Sequence, residues 1–214
     1  MSRFKHILEQ DPQQIQQQNV PADWPKLFPK SIVGLDRDGV INIDKGYLTS
    51  PDDWEPIPGS LEAIRMIRLK GYKLVILTNQ GGIMKKEQTH DQVEAIHQRM
   101  MEVFGNAGIY SIDGLFYSES SLKEDYYAKP NLGMFHRTEK EIFNNKIRFK
   151  DKGFYVGDKM TDLKAAERIG ATPILVRTGH GVATEKDLQK FSKEKLRKKT
   201  KVFENLLQFA QKLP

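Results

Sequence analysis

The chain has no cysteine among its 214 residues. That absence removes a disulfide framework, a thiolate nucleophile and any cysteine-ligated zinc site. Chemistry is left to carboxylates, amines, hydroxyls and imidazoles. Long hydrophobic runs are missing too: no stretch nears the ~20 apolar residues of a membrane-spanning helix. The opening MSRFKHILEQDPQQIQQQ lacks the apolar segment and small-residue cleavage site of a secretory signal. The expectation is a cytoplasmic protein with no membrane partner. Apolar residues are sparse, at 38% against 29% charged with a mean hydropathy of −0.58, but the chain stays outside the disordered range. Its length suits one core rather than two.

What is present in excess is positive charge, +6 overall with a pI near 9.3. It is unevenly spread. The segment KDLQKFSKEKLRKKTK (186–201) carries eight Lys and Arg against two acids, and the rest is close to neutral. A run of this kind reads as a solvated helical face, with a polyanion-binding surface as the alternative.

Residues 1–30 hold a Gln-rich tract and the Pro-rich PADWPKLFP without periodicity of either kind. They read as an extension packed on the surface through Trp24, Leu27 and Phe28, ahead of one domain over 31–214. From Ser31 short apolar runs alternate with helical patterns, the mark of βαβ units around a parallel sheet. Strands are expected at 31–36, 72–79, 114–118, 153–157 and 173–177. Helices are expected after Ser60, read as its cap, with Gly71 as the stop. Others follow Thr89 with a capping box to Gln92, Asn131, and 161–169 before Gly170. Val202, Phe203, Leu206, Phe209, Ala210 and Leu213 read as the stripe of a last helix docked on the sheet. The fold class is a three-layer α/β, Rossmann-like, with helices on both faces.

Ligands of such sheets bind beyond the carboxyl ends of the strands, and these ends are polar here. The first expected strand runs into Asp36-Arg37-Asp38-Gly39, the second into Thr78-Asn79-Gln80-Gly81-Gly82, and the fourth into Gly157-Asp158-Lys159 with Asp162 beyond. So many acids at buried strand ends call for a cation, most simply Mg²⁺, which takes a few carboxylates plus water and a substrate phosphate. A carboxylate beside it can attack phosphorus. Asp36 is the candidate nucleophile and Asp38 the acid and base. Thr78 and the amides around Asn79 would hold phosphoryl oxygens, and Lys129 would offset charge in the transition state. Asp158 would complete the metal set of Asp36, Asp38 and Asp158. Asp162 would support the metal site or cap a helix.

Taken together, LDRDGVIN (35–42), ILTNQGGI (76–83), KPNLGMF (129–135) and VGDKMTD (156–162) resemble the haloacid-dehalogenase-like phosphohydrolases over about residues 31–180. The resemblance implies an aspartyl-phosphate on Asp36, proton transfer by Asp38, and a metal held by Asp36, Asp158 and the backbone carbonyl of Asp38. The wording LDRDGVINID…GY, TNQGGI and VRTG is similar to the capless subgroup acting on heptose 1,7-bisphosphate or histidinol phosphate. Only 41 residues separate Asp36 from Thr78, too few for a cap domain. Members of the subgroup typically carry a Cys/His zinc loop before the motif lysine; SESSLKEDYY (118–127) has neither residue type, so no zinc is expected. Ala128 stands where an arginine commonly precedes that lysine. Arg37, Gln80, Lys85, Lys86 and Arg177 remain as candidate contacts for substrate or a second acidic group, with Lys85 and Lys86 equally readable as solvated loop residues. Lys159 is expected beside the metal acids, and His180 is read as solvent-facing.

The leading expectation is a Mg²⁺-dependent phosphomonoesterase of a small sugar phosphate. Two alternatives stand beside it: a 3′-phosphatase of nucleic-acid ends, which shares the capless core and the TNQ-G-I wording, and a binding protein that kept the fold without turnover. Intact Asp36 and Asp38 weigh against the last.

Overall fold

The computed structural model describes residues 31–190 and 194–214. The Gln-rich arm, with Trp24, Leu27 and Phe28, lies outside the described residues. Strands β1 (Ile32–Leu35), β2 (Lys73–Asn79), β3 (Gly114–Ser118), β4 (Phe154–Gly157), β5 (Thr172–Val176) and β6 (Lys201–Phe203) form one parallel sheet in the order β3-β2-β1-β4-β5-β6. Leu35 pairs with Ile76 on one side and Val156 on the other, so β1 is central.

The central strands are nearly continuous apolar runs because both faces of a parallel sheet are covered. Their period-two alternation sends Val33, Leu35, Leu74, Ile76, Val156, Ile174 and Val176 to one face. There they meet α1 (Ser60–Leu69), α2 (His90–Asn106) and α7 (Leu206–Lys212). Ile32, Val75, Leu77 and Tyr155 point the other way, onto α3 (Gly133–Arg137) and α4 (Met160–Ile169). Leu175 on that side packs under α5 (Gly181–Lys190) and α6 (Glu194–Lys199) through Leu188 and Leu196. Three layers result, as expected. The chain between Asp36 and α1 holds only a loop with a short 3₁₀ turn at Pro51–Asp53. No cap domain interrupts the described residues, and no described helix is long and apolar enough to cross a membrane.

Several local expectations need correction. Ser60 is not the cap of α1. Gly59 occupies that position with φ 84°, and Ser60 is the first helical residue, its hydroxyl buried. Val202 and Phe203 belong to the short edge strand β6, not to the last helix; α7 starts after Asn205, whose side chain accepts from Gln208 N at 2.9 Å. A three-residue strand at a sheet edge has too little pattern to be read from sequence. The helix after Asn131 is one turn, Gly133–Arg137, that widens into a π-turn at Thr138–Ile142. The Thr89–Gln92 capping box is present as expected. The basic run lies on α5, α6 and the start of β6, its Lys and Arg exposed wherever described, around the buried Leu188 and Leu196.

One contact inside the sheet bears on the site. Gly34 of β1 is the direct register partner of Tyr155 on β4. A Cβ on Gly34 would lie 2.6 Å from Tyr155 Cδ2, so the glycine makes room for that ring over the strand. Gly34→Ala is expected to destabilise the fold by about 1–3 kcal/mol through overpacking. A urea denaturation midpoint unchanged from the parent would refute the close contact.

Candidate active site

The chain turns in opposite directions from β1 and β4, which makes their carboxyl ends the crevice of the sheet. Asp36 follows β1 directly and extends its pairing, Asp36 N donating to Val156 O at 2.9 Å. Asp158 follows β4, and Asp162 sits in the first turn of α4. All three are buried, and each offers a carboxylate oxygen within 4.8 Å of the others. Like charges this close oppose one another's ionisation, and burial adds to the cost.

Lys129 is the main counterweight. Its ammonium is 2% exposed and lies 2.9 Å from Asp36 Oδ1 and 2.8 Å from Asp162 Oδ1. Burial works against its charge, but Asp162 and Asp36 outweigh this and hold it well above an ordinary lysine. Asn79 fixes the lysine from behind: its side chain accepts from Lys129 N at 2.9 Å and donates to Lys129 O at 3.1 Å. The side chain of Asn79 thus steadies the lysine loop through its oxygen and one of its two N–H groups. Asp162 caps the helix, one of the two readings offered for it, and also pairs with the lysine. Its Oδ2 accepts from Lys159 N at 3.0 Å as a helix-capping acid, while Oδ1 meets Lys129.

Asp158 differs from its neighbours. Oδ2 accepts from His180 N at 2.8 Å, but Oδ1 is buried without a hydrogen-bond partner. Burial first, then Asp162 and Asp36, push the carboxyl up to about 8 against the pull of Lys159. Two glycines wrap it: a Cβ on Gly39 (φ +81°) or Gly179 (φ +56°) would come within 2.2 and 2.3 Å of Oδ2. A partnerless oxygen in an all-oxygen acidic cluster is what a hard divalent cation requires. The residues present fit one.

Asp38 lies beside this cluster in a tight loop. Arg37 grips it with Nε at 3.1 Å and a second guanidinium nitrogen at 2.9 Å, while Asn42 and Gln80 donate at 2.9 and 3.0 Å. Burial opposes its charge, yet Arg37 and these hydrogen bonds hold it below the usual carboxylate range. Gln80 also donates to Thr78 Oγ1 at 3.0 Å and accepts from Arg37 at 3.0 Å. Arg37 needs correction as a substrate contact. It is fully buried, and its remaining terminal nitrogen is 3.0 Å from His97 Nε2. A guanidinium can only donate, so His97 accepts as a neutral ring; burial and Arg37 keep it well below an ordinary histidine.

The cleft above the acids, about 210 Å³, is lined by Asp38, Asp44, Gly46, Tyr47, Asn79, Gln80, Lys159 and His180. Lys159 pairs with Asp44 at 3.0 Å, and His180 Nε2 is 3.3 Å from the same oxygen. His180 borders the cleft with its side chain 60% exposed, the solvent-facing position expected of it. Lys85 sits at the rim and donates to Tyr47 Oη at 2.9 Å. Lys86 is an exposed turn residue, and Arg177 is consumed by Glu185 and Glu204. Asp44, Tyr47, His97 and Tyr155 were not foreseen as site residues. The first two stand in the NID…GY wording, a signal available and unused. His97 sits on the buried face of α2, where periodicity marks core.

Residues 31–208 match the family described as polynucleotide kinase 3 phosphatase. The chain is 33% identical over 182 residues to a D-glycero-beta-D-manno-heptose-1,7-bisphosphate 7-phosphatase of Neisseria meningitidis, covering 84% of this chain and 92% of that one. It is 35% identical over 165 residues to the enzyme of the same name from Haemophilus ducreyi, covering 73% and 88%. The crystal structure of D,D-heptose 1,7-bisphosphate phosphatase from B. bronchiseptica, complexed with magnesium and phosphate, superposes with a TM-score of 0.73 at 30% identity, covering 86% of this chain and 97% of that one.

The raised carboxyl of Asp158 gives a pH signature. Its proton favours the folded state, so this group's contribution to stability is lost as pH climbs from about 4 toward about 8. A cation at the cluster must displace that proton, so its apparent affinity falls up to about tenfold per pH unit below 8. The rise in melting temperature at a fixed, subsaturating Mg²⁺ concentration is expected to grow from pH 6 to pH 8.5, and to flatten in Asp158→Asn. A pH-independent shift in the parent chain would refute the assignment.

Proposed function

This chain belongs to the polynucleotide kinase 3 phosphatase family, within the haloacid-dehalogenase-like phosphatases, and we propose that it is a Mg²⁺-dependent phosphomonoesterase working through an aspartyl-phosphate on Asp36. The observation that carries the reading is the convergence of Asp36, Asp158 and Asp162, with the buried Lys129 against Asp36 and Asp162 and one oxygen of Asp158 left for a cation. Asp36, Asp158 and the backbone carbonyl of Asp38 would hold Mg²⁺, which would supply positive charge for phosphoryl oxygens beside the acids. Residues 31–214 would act as one catalytic domain.

Asp36 attacks phosphorus and the ester oxygen leaves with a proton from Asp38; Asp38 then takes a proton from the water that cleaves the acyl phosphate. In the free protein the Arg37 pair keeps Asp38 ionised, the state needed for the second step. A phosphate dianion beside it favours proton uptake, the state needed for the first. Thr78 and the amides after it face the same strand end and would bind phosphoryl oxygens. Lys129 arrives already aligned on Asp36, so its charge is in place before the transition state forms.

For substrate we propose heptose 1,7-bisphosphate, a reading supported by the named relatives. A second reading, removal of a 3′-phosphate from nucleic-acid ends, draws on the family's description and on the basic face of α5 and α6. Helix α5 starts one residue after His180 at the cleft, and its first basic residue is Lys186.

Phosphate release with Mg²⁺ from heptose 1,7-bisphosphate, histidinol phosphate and a 3′-phosphorylated oligonucleotide separates these. Asp36→Asn is expected to be inactive on all three with its fold unchanged, and a retained rate would refute the nucleophile. A preference of about a hundredfold for the heptose, about 2.7 kcal/mol of differential transition-state binding, supports the leading reading. Preference for the oligonucleotide, falling steeply with salt, overturns it. EDTA is expected to abolish activity, with Mg²⁺ and not Zn²⁺ restoring it.

A further inference from the structure

The mechanism uses Lys129 but leaves its third N–H unexplained. The ammonium has three protons and, besides Asp36 and Asp162, a third acceptor: Tyr155 Oη at 2.9 Å. Tyr155 is fully buried, and burial foremost keeps its phenol well above the ordinary value, so it is a neutral hydroxyl with one proton to give. That proton goes to Leu77 O, the carbonyl directly before Thr78, at 2.5 Å. With its proton committed there, the hydroxyl turns a lone pair to Lys129, and the donated bond strengthens the accepted one. The ring is wedged over Gly34 of β1 and against Phe135 at a centroid distance of 4.8 Å. The hydroxyl therefore cannot swing away without repacking the core.

We propose that Tyr155 is a positioning residue that fixes the Lys129 ammonium between Asp36 and Asp162 and ties it to the phosphate-binding end of β2. With two carboxylates alone, the lysine is free to settle on either one. The directional third bond, anchored in backbone, sets the sharing. The inference rests on the phosphatase reading and adds to it a residue that touches no substrate.

Tyr155→Phe removes the hydroxyl and leaves the ring. With p-nitrophenyl phosphate and Mg²⁺, kcat is expected to fall about ten- to a hundredfold while KM stays within twofold, because the lysine acts on the transition state more than on binding. The distinguishing measurement is a double-mutant cycle: in a Lys129→Met background, Tyr155→Phe is expected to cost less than twofold further. Phe135→Leu, which loosens the same packing and keeps the hydroxyl, is expected to leave kcat per folded molecule within twofold. A wild-type kcat in Tyr155→Phe, an undiminished loss in the Lys129→Met background, or an equal loss in Phe135→Leu would each overturn the proposal. Full activity in Asp36→Asn would instead fail the phosphatase reading itself.

Discussion

The site is organised by one buried cation among carboxylates that cannot all be ionised without it. Lys129 lies in a loop well separated in sequence from β1 and β4, yet its ammonium sits within 2.9 Å of both Asp36 and Asp162. A buried charge without partners costs several kcal/mol, so the loop, the strand ends and α4 are bound to one arrangement. The sheet order makes it possible, since β1 and β4 are adjacent only because the chain crosses over between them. Asn79 and Tyr155 then hold the lysine from its backbone and its tip. Removing the cation would leave like charges facing one another, while removing one acid would leave the cation under-compensated; each group holds the others in place.

Much of this was legible because strand ends in a parallel sheet are punctuated by residues that no buried strand otherwise tolerates. Asp36, Asp158 and Thr78 announce themselves by following apolar runs, and Lys129 by its place after the third. The helices α1, α2 and α4 follow from periodicity and from Thr89, Gly71 and Gly170 at their ends. Direction of side chains was less readable. Arg37 and Asp38 are neighbours in sequence, and nothing in the order of residues tells that the arginine folds back to clamp the acid. Arg37, Gln80 and His97 come from three separate segments to form one buried polar group, so their roles appear only in three dimensions. Tyr155 reads as an ordinary core aromatic. Its hydroxyl acquires a role only because Gly34 opens the sheet beneath it.

Arg37 also changes how the cleft must recognise an anion. An arginine in a phosphate-binding motif reads as a ligand for a second acidic group, but this one is consumed by Asp38, Gln80 and His97. Arg177 is likewise held by two glutamates. The basic groups left at the cleft are Lys159, bridged to Asp44, and Lys85 at the rim, with His180 on the same acid. They belong to loops after β2, β4 and β5, and Asp44 to the loop after β1. Selectivity in an open site of this kind is therefore a property of loops on a common scaffold. The Asp44 bridge also fixes the cost of recruiting Lys159, since an incoming anion must compete with a carboxylate already in place.

The same charges set an order of binding for the proposed reaction. Asp36, Asp158 and Asp162 against Lys129 come to −3 + 1 = −2 when fully ionised, or −1 with the proton that Asp158 keeps below about 8. Two unit charges about 4 Å apart interact by about 4 kcal/mol at an effective dielectric of about 20. A phosphate dianion entering that field alone is repelled by several kcal/mol. A divalent cation held by the cluster would bring its ionised form to neutrality and take the place of the proton on Asp158. With the net charge of the cluster removed, Lys129 stays paired to Asp36 and Asp162, and Lys159 meets the phosphate in competition with Asp44. The cation would thus precede or accompany the substrate, because the empty cluster repels the dianion that the loaded one admits.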